Sequence, residues 1–129
     1  MEYITKIVIK NYWKISSKPP EKYKIDINVM PDSEIKKVNK KYLNRDRPTD
    51  VIAFSLQEGE EIPEEIPLIG QIVISKHAAQ RQAPQYNHST QEEMELLLIH
   101  GLLHVAGWEE GEKIQKCQEE IKRKIKRKA

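Results

Sequence analysis

Ile99-His100-Gly101-Leu102-Leu103-His104-Val105-Ala106-Gly107-Trp108-Glu109-Glu110 holds two of the chain's four histidines at helical spacing, inside its most apolar segment. Residues four apart on an α-helix stand one turn above each other, with Cβ atoms ~5–6 Å apart, so His100 and His104 can aim their imidazoles at one ion. Gly107 then lets the helix stop and the chain swing back. Such a reversal can carry Glu109 or Glu110 towards the same point, and a carboxylate oxygen is an acceptable zinc ligand. Two imidazoles, one carboxylate and an open position would make a site of the catalytic rather than the closed structural kind. The competing reading is a pair of hydrogen-bonded core histidines. Met94, Leu96, Leu97, Leu98, Ile99, Leu102, Leu103, Val105 and Ala106 are apolar nearly all round the helix, which marks it as buried. An unpartnered imidazole there would cost ~1–3 kcal/mol in desolvation, so each needs a partner.

Working outward, Ser89-Thr90-Gln91-Glu92-Glu93 contains overlapping capping boxes, Ser89 with Glu92 or Thr90 with Glu93, which start this helix. His88 precedes His100 by twelve residues. At ~1.5 Å of rise per residue it stands ~18 Å away along the helix and cannot join the site from there. Beyond the glycine, a last helix runs from about Glu110 or Gly111 to Arg127 with the apolar stripe Ile114, Cys117, Ile121 and Ile125. Cys117, the single cysteine, cannot make an internal disulfide and reads as a core-facing thiol.

Further upstream, Tyr23, Ile25, Ile27 and Val29 alternate with Lys24, Asp26 and Asn28, the clearest strand of the chain. Pro31, Asp32 and Ser33 open a helix with Ile35, Val38 and Tyr42 on one stripe, running to about Leu43. A polar loop, Asn44 to Asp50, leads into Val51-Ile52-Ala53-Phe54-Ser55, a short buried strand. Leu56 to Leu68 is acidic, carries Pro63 and Pro67, and reads as a solvated connection. Ile69 to Ser75 repeats the apolar strand pattern, and Ser75 or Lys76 opens a helix through His77, Ala78 and Ala79 that Pro84 ends. His77 is a further candidate ligand. At the start, the β-branched run Tyr3 to Lys10 predicts a first strand, and Asn11 to Glu21 a connection. The expected architecture is one α+β domain over the 129 residues: a mixed sheet of about four strands covered by helices, with the histidine helix buried.

A net charge of +2 is too small to indicate nucleic-acid binding by itself, but Lys122, Arg123, Lys124, Lys126, Arg127 and Lys128 crowd the last turns. Such a tail can contact phosphates or simply cap the negative pole of its helix. There is no run of eighteen apolar residues and no charged-then-apolar leader, so no membrane partner and a cytoplasmic location are expected.

The stretch His100-Gly101-Leu102-Leu103-His104-Val105-Ala106-Gly107-Trp108 resembles the signature of the YbeY family of rRNA maturation factors, metal-dependent endoribonucleases of bacteria. Asn39-Lys40-Lys41-Tyr42 followed by Asp46-Arg47-Pro48-Thr49-Asp50-Val51-Ile52-Ala53-Phe54-Ser55 is similar to that family's second signature. Leu68-Ile69-Gly70-Gln71-Ile72-Val73-Ile74-Ser75 is similar to its third. The resemblance implies a small α+β domain whose sheet backs a metal-bearing helix, with one zinc ion as cofactor. It further implies single-stranded ribosomal RNA as substrate, in small-subunit maturation and ribosome quality control, and small-subunit proteins as partners.

His100 and His104 match the family's first two metal ligands. The third, a histidine in the family, falls on Glu110. The family's arginine after the tyrosine of Asn-x-x-Tyr falls on Leu43, so Arg45 or Arg47 would serve as the catalytic phosphate clamp that steadies developing charge. Gln71 sits where the family usually carries an acid. Lys122 and Arg123 are candidate RNA contacts. Gly101 stands where zinc proteases of the His-Glu-x-x-His type carry their base, which argues against peptide hydrolysis. The alternative reading, favoured by Leu43 and Gln71, is a non-catalytic RNA-binding or ribosome-assembly factor with a weak or structural metal.

Overall fold

Glu2–Tyr12 forms a helix, α1, where the run of Ile and Val predicts a strand. Ile4, Val8 and Tyr12 recur every four residues and, with Ile9, bury their side chains in the core shared with the histidine helix. Burying that stripe outweighs the strand preference of β-branched residues, which spans only ~1 kcal/mol and depends on context. The computed structural model describes residues 2–55 and 68–128, so most of the acidic Leu56 to Leu68 stretch lies outside the described residues.

With the first segment helical, the described sheet has three strands rather than about four: β1 (Lys24–Met30), β2 (Val51–Ser55) and β3 (Leu68–Ser75), in the order β1-β3-β2. It is mixed, as expected, because β1 runs parallel to β3 and β2 antiparallel. Central β3 is apolar almost throughout because both its faces are covered. Ile72 and Ile74 join the core built with α1 and the histidine helix, while Val73 packs with Ile35 and Ile52 on the other face. Ile35 belongs to α2 (Asp32–Leu43), which closes that face. The register shifts between Lys24 and Ile25, and this lets Ile69, three residues from Ile72, join the same core.

After β3 come α3 (Lys76–Gln82), a 3-10 turn at Ala83–Tyr86 that takes in Pro84, α4 (Thr90–Val105) and α5 (Glu112–Lys128). Of the two possible capping boxes, Ser89 with Glu92 forms: Ser89 Oγ accepts from Glu92 N at 3.1 Å, and Glu92 Oε1 from Ser89 N at 3.2 Å. α4 is pressed onto the sheet through two glycines. A Cβ at Gly101 would stand 2.9 Å from Ile72 Cγ2, and one at Gly70 2.7 Å from Val105. This close approach leaves His100 and His104 at the rim between α4 and β2. No helix among the described residues is long and apolar enough to cross a membrane.

Candidate metal centre

α4 ends in a Schellman reversal. Trp108 N donates to Leu103 O at 2.9 Å and Gly107 N to His104 O at 3.0 Å, with Gly107 in the left-handed region at φ 103°. The reversed chain is then clamped to the end of α1. Trp108 Nε1 donates to Tyr12 O at 2.6 Å, Lys14 N donates to Ala106 O at 2.8 Å, and Lys14 Nζ lies 4.4 Å from the Trp108 ring centre. Two residues later Glu110 comes back over the last turns of α4.

Of the two acids that spacing leaves open, Glu110, onto which the resemblance places the third ligand, is the one that lies against the two histidines. Its Oε1 lies 2.7 Å from His100 Nε2 and 2.9 Å from His104 Nε2, and the two Nε2 atoms are 3.1 Å apart. The hydrogen bond with His104 first, and that with His100 next, hold the Glu110 carboxyl below the usual carboxylate range, so it is an anion at neutral pH. Among the described residues, these three are the group whose ligand atoms could hold one ion, all within 4.8 Å of one another. Donors in a tetrahedral zinc site with bonds of ~2.0–2.1 Å stand ~3.3 Å apart, so distances of 2.7, 2.9 and 3.1 Å need to open by only ~0.2–0.6 Å. Two imidazole nitrogens and a carboxylate oxygen suit zinc, and the residues present fit that ion.

The three side chains face a small pocket of 180 Å³ whose other walls are Leu43, Val51, Ile52, Ala53 and Gly101. One wall is therefore apolar, with Leu43 45% exposed beside it. Arg45 and Arg47 do not line the pocket; both are exposed on the loop that follows α2. That loop is pinned by buried Asn39, whose Nδ2 donates to Arg47 O at 2.9 Å and whose carbonyl accepts from Arg45 N at 3.2 Å. Asn39 of the Asn-x-x-Tyr element thus shapes the loop while the guanidinium groups stay in solvent. Gln71 is a β3 residue opposite Asp26 and Phe54, away from the pocket walls.

The remaining candidates have other partners. His77 Nδ1 accepts from Asp32 N at 3.1 Å. His88 pairs with Glu93, both side chains buried. Cys117 is buried in the core, and burial pushes its thiol up, as suits an inert side chain. Lys122 is half-buried on α5 and Arg123 exposed.

Sequence reasoning misses one contact at the site. Gln118 Oε1 lies 3.1 Å from His100 Nδ1, on the opposite edge of the ring from Glu110. Its signal is a polar residue set four after Ile114 and three before Ile121, beside the buried stripe of α5.

The chain matches the family described as Endoribonuclease YbeY over residues 2–128. It is 41% identical over 106 residues to the endoribonuclease YbeY of Pelotomaculum thermopropionicum, covering 78% of this chain and 70% of that one. Against the endoribonuclease YbeY of Trichormus variabilis it is 43% identical over 100 residues, covering 73% and 57%. For that of Bacillus subtilis the figures are 36% over 94 residues, 66% and 58%. The chain thus spans less than two thirds of several relatives it matches. The solution structure of TM1509 from Thermotoga maritima aligns with a TM-score of 0.58 at 22% identity, over 93% of this chain and 75% of that one, which supports the fold.

Proposed function

The chain belongs to the endoribonuclease YbeY family, and from that premise we propose that it is a zinc-dependent hydrolase that cuts single-stranded RNA, with His100, His104 and Glu110 holding one zinc ion. Its substrate in this reading is small-subunit ribosomal RNA in the cytoplasm, among the proteins of that subunit. The observation that carries the proposal is the meeting of His100, His104 and Glu110 at the mouth of an open pocket.

A zinc ion there would supply Lewis acidity towards a phosphate oxygen and acidify water, the two services a phosphodiester hydrolase requires of it. The protein's own groups do the rest. Glu110 contributes a negative charge that tempers the acidity a neutral third imidazole would leave in full. Arg45 and Arg47, exposed on the loop pinned by Asn39 and outside the pocket walls, hold phosphates that flank the scissile bond rather than the reacting one. Lys122 and Arg123 add sequence-independent contacts to the backbone of the same strand. Position 101 carries no side chain, and a Cβ there would stand 2.9 Å from Ile72 Cγ2, so the site lacks the base that a His-Glu-x-x-His protease carries.

A second reading has a specific observation behind it. Leu43 lines the pocket where the resemblance places an arginine, which favours an RNA-binding assembly factor that keeps the metal without cutting. Cleavage of a single-stranded RNA by purified protein, abolished by His104→Ala with helical content unchanged, supports the hydrolase. RNA binding without cleavage by the zinc-loaded wild type supports the assembly factor.

A further inference from the structure

The geometry points to Gln118 as the residue that fixes which nitrogen of His100 faces the metal. This inference rests on the proposed zinc site and adds a positioning residue from a different helix.

His100 has two ring nitrogens with different neighbours. Nε2 looks into the pocket, 2.7 Å from Glu110 Oε1 and 3.1 Å from His104 Nε2. Nδ1 looks the other way, 3.1 Å from Gln118 Oε1. A neutral imidazole carries one proton, and a nitrogen that donates its lone pair to a cation cannot carry it. Placing the proton on Nδ1 therefore frees Nε2, and a proton on Nδ1 requires an acceptor. A carboxamide oxygen is such an acceptor, and Gln118 presents it. Metal-bound histidines are held in one tautomer and one ring orientation by a second hydrogen bond of this kind, whose loss weakens metal binding ~10–100-fold.

The position of Gln118 makes the contact a built one. Ile114 and Ile121 of the same helix are fully buried on either side of it, and Cys117 beside it is buried too. The carboxamide is thus carried on a packed stretch of α5 rather than on a loose surface turn, and α5 packs on α4. His104 is held differently: its Nε2 meets His100 and Glu110, and its ring stands edge-on to that of His100 at 4.8 Å between centres. Orientation of the pair is therefore concentrated on His100, against which His104 packs.

The test is zinc affinity, measured by competition with a chromophoric chelator, for the wild type, Gln118→Leu and Gln118→Glu. Leucine keeps the volume but offers no acceptor; glutamate restores one. Gln118→Leu is expected to bind zinc ~10–100-fold more weakly and Gln118→Glu to recover at least wild-type affinity. In the zinc-loaded protein, a proton on His100 Nδ1 should be visible by nitrogen-edited NMR in the wild type and lost to exchange in Gln118→Leu. Equal zinc affinity and an unchanged Nδ1 proton in Gln118→Leu would overturn the inference while leaving the metal site standing. A wild type that binds no zinc would overturn both. Thermal unfolding of the metal-free variants separates a packing defect from the positioning role: Gln118→Glu should rescue zinc binding whatever the change in stability.

Discussion

Trp108 Nε1 donates to the carbonyl of Tyr12 at 2.6 Å, joining the turn after α4 to the last residue of α1 across 96 residues of sequence. The bond fixes where the reversed chain travels, and with it where Glu110 arrives. Trp108→Phe keeps an aromatic ring beside Lys14 but removes the donor. A loss of ~1–3 kcal/mol is expected from the orphaned carbonyl, read by urea denaturation. Zinc affinity should fall as well, with helical content retained; full zinc affinity in this variant would mean that Glu110 is positioned by other contacts.

Gly101 is set by the distance between α4 and β3 rather than by a turn. Gly101→Ala places a methyl 2.9 Å from Ile72 Cγ2, so the helix must lift or the isoleucine must move. The expected cost is ~1–3 kcal/mol of overpacking. Adding Ile72→Ala vacates the clashing atoms, and the double variant should be less destabilised than the sum of the two single ones. Strict additivity would show that the close approach is not the cause.

Acid should weaken the fold through Asp32. Its carboxylate accepts from Arg81 Nη1 at 2.7 Å and Ser75 Oγ at 2.6 Å, and these bonds, Arg81 first, hold it below its ordinary 3.8. A carboxyl with a lowered value in the folded state binds fewer protons there than in the unfolded chain. Its contribution to stability is therefore present above about pH 4 and is lost as pH falls through the lowered value. Asp32→Asn should flatten the stability profile below about pH 4, which equilibrium denaturation across that range reports; an unchanged slope would assign the acid sensitivity to other carboxyls.

Much of the fold is legible in the sequence because burial and period agree. The alternation of β1, the capping box of α4 and the reversal at Gly107 all appear where residue chemistry places them. The first segment misleads because Ile4, Ile7, Val8 and Ile9 carry a strong strand preference, whereas the deciding feature, Tyr12 completing a stripe with Ile4 and Val8, lies just past the run. Without that strand, the described residues form a sheet of three strands rather than about four. At the site, the two histidines follow from helical spacing alone; spacing leaves Glu109 and Glu110 open, the family resemblance points to Glu110, and the path of the chain after the Schellman turn is what carries it to the imidazoles. Gln118 is invisible for a related reason: its partner is eighteen residues away on another helix.

Arg45 and Arg47 are proposed to hold RNA through phosphates from an exposed loop. Replacing both with alanine should weaken RNA binding and cleavage together and leave zinc affinity unchanged. The salt dependence of binding should become shallower, by ~0.7 of a unit of slope for each single-strand phosphate no longer neutralised. RNA affinity and slope equal to wild type would remove both from the interface.

The central claim is that His100, His104 and Glu110 share one ion. Its most direct measurement is zinc stoichiometry and X-ray absorption on the purified protein, set beside His100→Ala, His104→Ala and Glu110→Ala. One zinc per chain is expected, bound by two imidazole nitrogens at ~2.0–2.1 Å and oxygen at ~2.0–2.2 Å, with occupancy collapsing in either histidine variant and affinity falling in the glutamate variant. Zinc bound with the same stoichiometry and ligand shell after all three substitutions would contradict it.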